Sequence, residues 1–164
     1  METFFNPPSV AIIGATEKAG SLPGIIIKNL LDMEFSGKIY PVNPKYKHVF
    51  GLPCFPTVLD IPDEVALTVI AIPAPVVLDV LKQQAQKRIR HSIIISAGFR
   101  EMGTEGVEME EKIKQVVIEN NIRVLGPNCL GVLDNYTNFT TSFLPWKRVS
   151  KPKKGALSIL SQSG

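Results

Sequence analysis

Cysteine is scarce in this chain, long apolar runs and a strong excess of charge of one sign are missing, and each lack closes a class of function. The two cysteines, Cys54 and Cys129, are too far apart for a Cys-x-x-Cys metal pair and too few for a disulfide framework, so both read as thiols. The longest apolar run, 66–78, is shorter than a bilayer span and is broken by Pro73 and Pro75, which excludes a membrane helix there. No basic region precedes the first apolar residues, so the chain reads as cytoplasmic. A dispersed net charge of +3 gives no footprint for nucleic acid, although it suits a small anionic ligand. What is present is globular: 45% hydrophobic and 20% charged residues over 164 positions, enough for one domain with a proper core.

The most informative stretch is Val10-Ala11-Ile12-Ile13-Gly14-Ala15-Thr16, continuing through Glu17-Lys18-Ala19-Gly20-Ser21 to Leu22-Pro23-Gly24. A short β-branched run, a glycine turn and a proline at the start of an apolar helical pattern read as strand, turn and helix. Backbone N–H groups and the positive end of the helix dipole make such a turn a cradle for phosphate. The same turn is compatible with a plain β–α connection that carries no ligand. Gly14, Gly20 and Gly24 are spaced too widely for the G-x-G-x-x-G of a dinucleotide fingerprint.

The rest of the chain repeats the rhythm. Apolar strands are expected at 10–13, 38–42, 67–72, 92–96 and 123–125, separated by helical patterns. The first helix carries Ile26, Ile27, Leu30 and Leu31 and is expected to stop near Phe35-Ser36-Gly37; the second has Val77, Val80, Leu81 and Ala85 on its inward face. The third shows Met109, Ile113, Val116 and Val117 before Asn120-Asn121 closes it. Between them, Thr57 can cap a single turn through Ile61, and residues 51–55 offer a short extra strand. Strands alternating with helices specify an α/β, Rossmann-like, doubly wound fold: a mainly parallel sheet with helices on both faces. Residues 134–155 break the pattern and end in a basic run of Lys147, Arg148, Lys151, Lys153 and Lys154, which reads as a solvated linker. Residues 156–160 restore an apolar strand, and Ser161-Gln162-Ser163-Gly164 is a turn of the kind that precedes a helix. The expected division is a domain at 1–150, followed at 151–164 by a linker and the first strand and turn of a further domain.

The blocks Ile-Gly-Ala-Thr at 13–16, Lys-Ile-Tyr-Pro-Val-Asn-Pro-Lys at 38–45, Gly-Leu-Pro at 51–53, Ile-Pro-Asp-Glu-Val at 61–65, Ser-Ala-Gly-Phe at 96–99 and Gly-Pro-Asn-Cys-Leu-Gly at 126–131 stand in the order found in ADP-forming acetyl-CoA synthetases. The chain resembles their CoA-binding domain along essentially its whole length, within the superfamily that includes the succinyl-CoA synthetase α-subunit. The resemblance implies a CoA cofactor held over the first turn, with Gly14, Thr16, Glu17, Lys18 and Ala19 matching the loop along CoA and Lys45 near a phosphate. Pro73 matches the turn where the pantetheine arm passes, Ser96, Ala97 and Gly98 a second contacting strand end, and Asn128 the segment beneath the thiol. Glu17 stands where succinyl-CoA synthetase has a small residue.

The same resemblance implies a ligase that links acyl-CoA, ADP and phosphate to acid, ATP and CoA through a phosphohistidine outside this chain. Its partners are then a downstream ligase domain and an ATP-grasp domain or subunit. Neither His48 nor His91 stands in a glycine-rich setting able to receive phosphate. Cys129 has no histidine near it in sequence and reads as structural rather than nucleophilic. A stand-alone CoA-binding regulatory module and an acyltransferase fusion remain alternatives. An NAD(P)-binding oxidoreductase fits least, because Asn43-Pro44-Lys45 stands where an acid would hold the ribose.

Overall fold

The computed structural model describes residues 2–146 and 149–162. Strand β1 (Ser9–Ile13) is buried along its full length, as its unbroken apolar run requires, and leads into helix α1 (Leu22–Asp32). β2 (Lys38–Val42) follows, then a small antiparallel hairpin of β3 (His48–Val49) and β4 (Leu52–Pro53). A single 3-10 turn at Val58–Asp60 is held by the reciprocal capping pair Thr57 and Asp60, as expected for that spacing. Then come β5 (Leu67–Ile70), α2 (Ala74–Gln86), β6 (His91–Ile94), α3 (Thr104–Glu119) and β7 (Arg123–Leu125). A second hairpin, β8 (Leu133–Asp134) with β9 (Phe139–Thr140), completes the elements.

The main sheet is parallel throughout, in the order β2-β1-β5-β6-β7. All five expected strands are found, within two residues at the ends. The chain runs outward from β1 to β2, then returns to the other side of β1 to lay down β5. The carboxyl ends of β1 and β5 therefore bound the switch point of the sheet, where open α/β folds bind ligands. α1 covers one face: Ile26, Ile27 and Leu30 pack on Val10, Ile12, Leu67, Val69 and Ile93. α2 and α3 cover the other, through Ala74, Val77, Leu81 and Ile113 against Ala11, Ile13, Ile70 and Ile94. Each fully buried Val, Leu or Ile among them contributes roughly 1.5–3 kcal/mol of hydrophobic stabilisation before entropy is counted.

Three departures from the sequence expectations have physical causes. α1 ends at Asp32, a little before the expected Phe35-Ser36-Gly37, because Glu34 takes the left-handed conformation and Phe35 turns its ring onto Phe139, 5.2 Å away. On α2 the fourth buried position is Gln84 rather than Ala85, and Val80 is only half-buried. Gln84 is kept inside by hydrogen bonds: Thr68 Oγ1 donates to its Oε1 at 2.7 Å, and its Nε2 donates to the carbonyls of Ile89 and His91 at 3.3 Å. The strand expected at 156–160 does not form. Among the described residues no strand pairs with it, and Leu157, Ile159 and Leu160 stand 92%, 90% and 101% exposed. Of the basic run and final turn, Lys147, Arg148, Ser163 and Gly164 lie outside the described residues. The remainder of the run is not free. Lys151 Nζ donates to the Asp32 carbonyl at 3.0 Å, and Asn135 and Tyr136 donate to the carbonyls of Lys153 and Gly155.

Candidate functional site

At the end of β1, Gly14 has a φ of +91°, and a Cβ there would lie 2.8 Å from both the Ala71 carbonyl oxygen and Ile72 Cγ2. Only glycine lets β1 turn this close to the end of β5. The loop then folds back on α1, so that a Cβ on Gly24 would stand 2.5 Å from the Thr16 carbonyl oxygen. Lys18 N donates to Thr16 Oγ1 at 3.2 Å, and Ser21 N to the Lys18 carbonyl at 3.2 Å. Ser21 is the N-cap of α1, yet its hydroxyl does not cap the helix and is buried without a partner. The first turn of α1 therefore has no side-chain cap.

The end of β2 is wired to this loop. Asn43 Nδ2 donates to the Ala15 carbonyl at 2.8 Å, and Asn43 Oδ1 accepts the Lys45 amide at 3.0 Å. Thr16 Oγ1 lies 3.3 Å from the Tyr46 hydroxyl, and the Glu17 carboxylate accepts the Phe50 amide. Loop 14–20 and turn 43–46 thus lie side by side. Lys18 and Lys45 are both exposed and form no salt bridge among the described residues, leaving two free cations beside a glycine turn.

The ends of β5 and β6 complete the rim. Ser96 is buried; its Oγ accepts the Ile72 amide at 3.1 Å, and its carbonyl accepts the Asn128 amide at 2.9 Å. One residue thereby ties three strand ends together. Pro73 occupies the N-cap position of α2, exposed Ala97 and half-buried Gly98 (φ +105°) turn the chain after β6, and Asn128 is exposed in the left-handed conformation. The Gly98 amide donates to Glu101, whose carboxyl is held below its ordinary range mainly by that bond. Cys129 is half-buried, with Sγ directed at the Ile94 and Leu125 carbonyls; burial pushes its thiol up, against a nucleophilic role. Among the described residues no group of three or more His, Cys, Asp or Glu could hold a metal.

All the residues marked out from sequence therefore fall at the carboxyl ends of β1, β2, β5, β6 and β7. Two open cavities, of about 440 and 330 Å³, lie instead at the amino ends, around Pro8, Val65 and Ala66. The larger has its polar groups already committed: Asp63 accepts from Lys38 at 2.9 Å and from Tyr40 at 2.5 Å. Volume and chemistry disagree here, and the free donors and cations favour the carboxyl ends. Sequence reasoning missed Asn43, Tyr46 and Phe50 as partners of the loop. The Asn-Pro turn after β2 was a signal for the first; nothing local marks the other two.

A sequence profile of the CoA binding domain family matches residues 8–135. The chain belongs to that family. Among relatives, this CoA-binding domain is 46% identical over 158 residues to an ADP-forming acetate–CoA ligase of Methanocaldococcus jannaschii, covering 96% of the chain and 21% of the relative. It is 39% identical over 168 residues to the α-subunit of ADP-forming acetate–CoA ligase I of Pyrococcus furiosus, covering all of the chain and 36% of that subunit. Among solved structures it superposes on a dinucleotide-forming acetyl-coenzyme A synthetase 1 of Ca. Korarchaeum cryptofilum, solved with phosphate and ADP. The TM-score is 0.83 at 35% identity, over 88% of this chain and 31% of that one. The chain thus spans about a fifth to a third of the length of these relatives. No described helix is long and apolar enough to cross a membrane.

Proposed function

We propose that this chain is the CoA-binding portion of an NDP-forming acid–thiol ligase, the complete enzyme interconverting acyl-CoA, ADP and phosphate with acid, ATP and CoA. The observation that carries the proposal is the pair of unpaired cations, Lys18 and Lys45, brought beside an uncapped helix start by the Asn43 and Tyr46 contacts. CoA brings a pyrophosphate and a 3′-phosphate, and that arrangement suits both better than it suits NAD. Gly14, Thr16, Lys18 and Ala19 would lie along the phosphates, with Lys45 near one of them. Pro73, Ala97, Gly98 and Asn128 would line the path of the pantetheine arm, with Ser96 holding their strands in place. CoA supplies the thiol that receives the acyl group; the chain's own residues bind and orient it.

The proposed division is a CoA-binding domain at 1–150 and, at 151–164, a linker and the opening of a ligase domain. Three bare apolar side chains at 157–160 support it, since a strand of that composition needs a sheet to join. The nucleotide-grasping function then belongs to another domain or subunit, and the enzyme works in the cytoplasm. Titration calorimetry with CoA, dephospho-CoA and NAD tests the proposal. CoA is expected to bind most tightly, and Lys45→Ala to weaken it about three- to tenfold, the screened end of the range for a charged contact. NAD binding in the absence of CoA binding overturns it.

A further inference from the structure

An acid in a phosphate-binding loop is an electrostatic anomaly, because a carboxylate beside a pyrophosphate repels it. Glu17 sits between Thr16 and Lys18 in just such a loop, and it is exposed. Its carboxylate, however, is taken up by the backbone amide of Phe50, 33 residues away, at the tip of the β3–β4 hairpin. Phe50 has a φ of +50° and is followed by Gly51 at +76°, a tight turn between the two short strands. Next to it in the loop, Thr16 meets Tyr46 on the same excursion. The hairpin is closed by Cys54 N donating to the Lys47 carbonyl at 2.9 Å and anchored to β2 by Phe55 N donating to the Pro41 carbonyl at 3.0 Å, with Val49 fully buried.

From this geometry we infer that Glu17 is a positioning residue for CoA: it latches the phosphate loop to the β3–β4 hairpin and contributes no contact to the ligand itself. The inference rests on the CoA proposal above. It explains why an acid is tolerated at this position, since the oxygen that accepts Phe50 N–H is the group the loop uses, and the charge is incidental. Loop 14–20 has few other restraints on its exposed arc: Lys18, Ala19 and Gly20 are all exposed, and Gly20 has a φ of +76°. Ordering that arc before binding lowers the entropy that CoA must otherwise remove.

Glu17→Gln and Glu17→Ala separate the two properties, because both remove the charge and only glutamine keeps an acceptor oxygen. Calorimetry with CoA on the 164-residue chain, paired with amide hydrogen exchange at Phe50, reads the difference. The alanine variant is expected to bind CoA about two- to tenfold more weakly than the glutamine variant, the range of one neutral hydrogen bond. Phe50 exchange should rise in the alanine variant and stay near wild type in the glutamine variant. Equal CoA affinities for the two variants, or unchanged Phe50 exchange in Glu17→Ala, overturn the inference. A wild-type chain that fails to bind CoA overturns the proposed function and the ligand half of this inference with it; Phe50 exchange still decides the latch.

Discussion

The two ends of the main sheet are built from different materials. At the amino ends, side chains close the structure: Asp63 takes both Lys38 and Tyr40, and Ser9 Oγ bridges the Glu64 carbonyl and the Ala66 amide. His91 sets its ring edge-on to Phe4 at 5.3 Å, while Thr68, Gln84 and Ser92 form a fully buried polar cluster between strand and helix. At the carboxyl ends side chains mostly pair instead with the backbone, as Asn43 does with Ala15, Ser96 with Ile72 and Glu17 with Phe50. Gly14, Gly98 and Gly126 turn with positive φ, main-chain groups brace one strand end on the next, and the cations are left unpaired. A region whose polar groups satisfy one another holds a fold together, whereas one whose donors and charges are unspent is ready for an anion.

The comparison can be broken by substitutions that ought to act on one end only. The largest effect is expected from Gly14→Ala, which combines a left-handed φ with contacts at 2.8 Å to Ala71 and Ile72. It should cost about 2–5 kcal/mol of stability in urea unfolding and abolish measurable CoA binding in the protein that remains folded. Wild-type CoA affinity in that variant would mean that the turn is structural only. Thr68→Val comes next. It leaves Gln84 and Ser92 short of a buried partner and should cost about 1–3 kcal/mol, yet keep CoA affinity within about twofold of wild type, because the cluster is remote from the loop. A larger loss of affinity would dissolve the distinction between the two ends.

The smallest effect is a pH dependence. The Tyr40 hydroxyl first, and Lys38 after it, hold the Asp63 carboxyl below the usual carboxylate range. A lowered folded value means that the contribution is present above the unfolded carboxylate pKa, about 3.9, and is lost as pH falls through the lower folded value. Thermal melts from neutral pH downward should therefore show Asp63→Asn slightly less stable than wild type at neutral pH, the gap closing in acid. A gap that persists once Asp63 is protonated would point to packing rather than charge.

Most of the fold was legible because buried parallel strands leave continuous β-branched runs, and β1 and β5 are buried at every position. Thr57 as the cap of a single turn was also readable, since capping is local, although its partner Asp60 was not singled out. What failed to show were the long-range polar contacts. Gln84 was passed over for Ala85 because nothing near it in sequence reveals that Thr68 and two carbonyls await it inside. The candidate site was legible as a set of strand ends, but not its wiring: Glu17 to Phe50 and Thr16 to Tyr46 are separated by 33 and 30 residues. The apolar pattern at 156–160 predicts a strand that does not form, because pattern reports what a segment needs and only a neighbour can provide it.

That unformed strand has a consequence for the protein as a substance in solution. Residues 156–160 are mostly aliphatic, carry no charge and contain no proline, features of segments that stack between molecules. Lys153 and Lys154 precede them, separated only by Gly155, and positive charge near the border of such a segment opposes stacking. Lysine repulsion there competes with adhesion between the exposed leucine and isoleucine side chains, and salt that screens the lysines favours the adhesion.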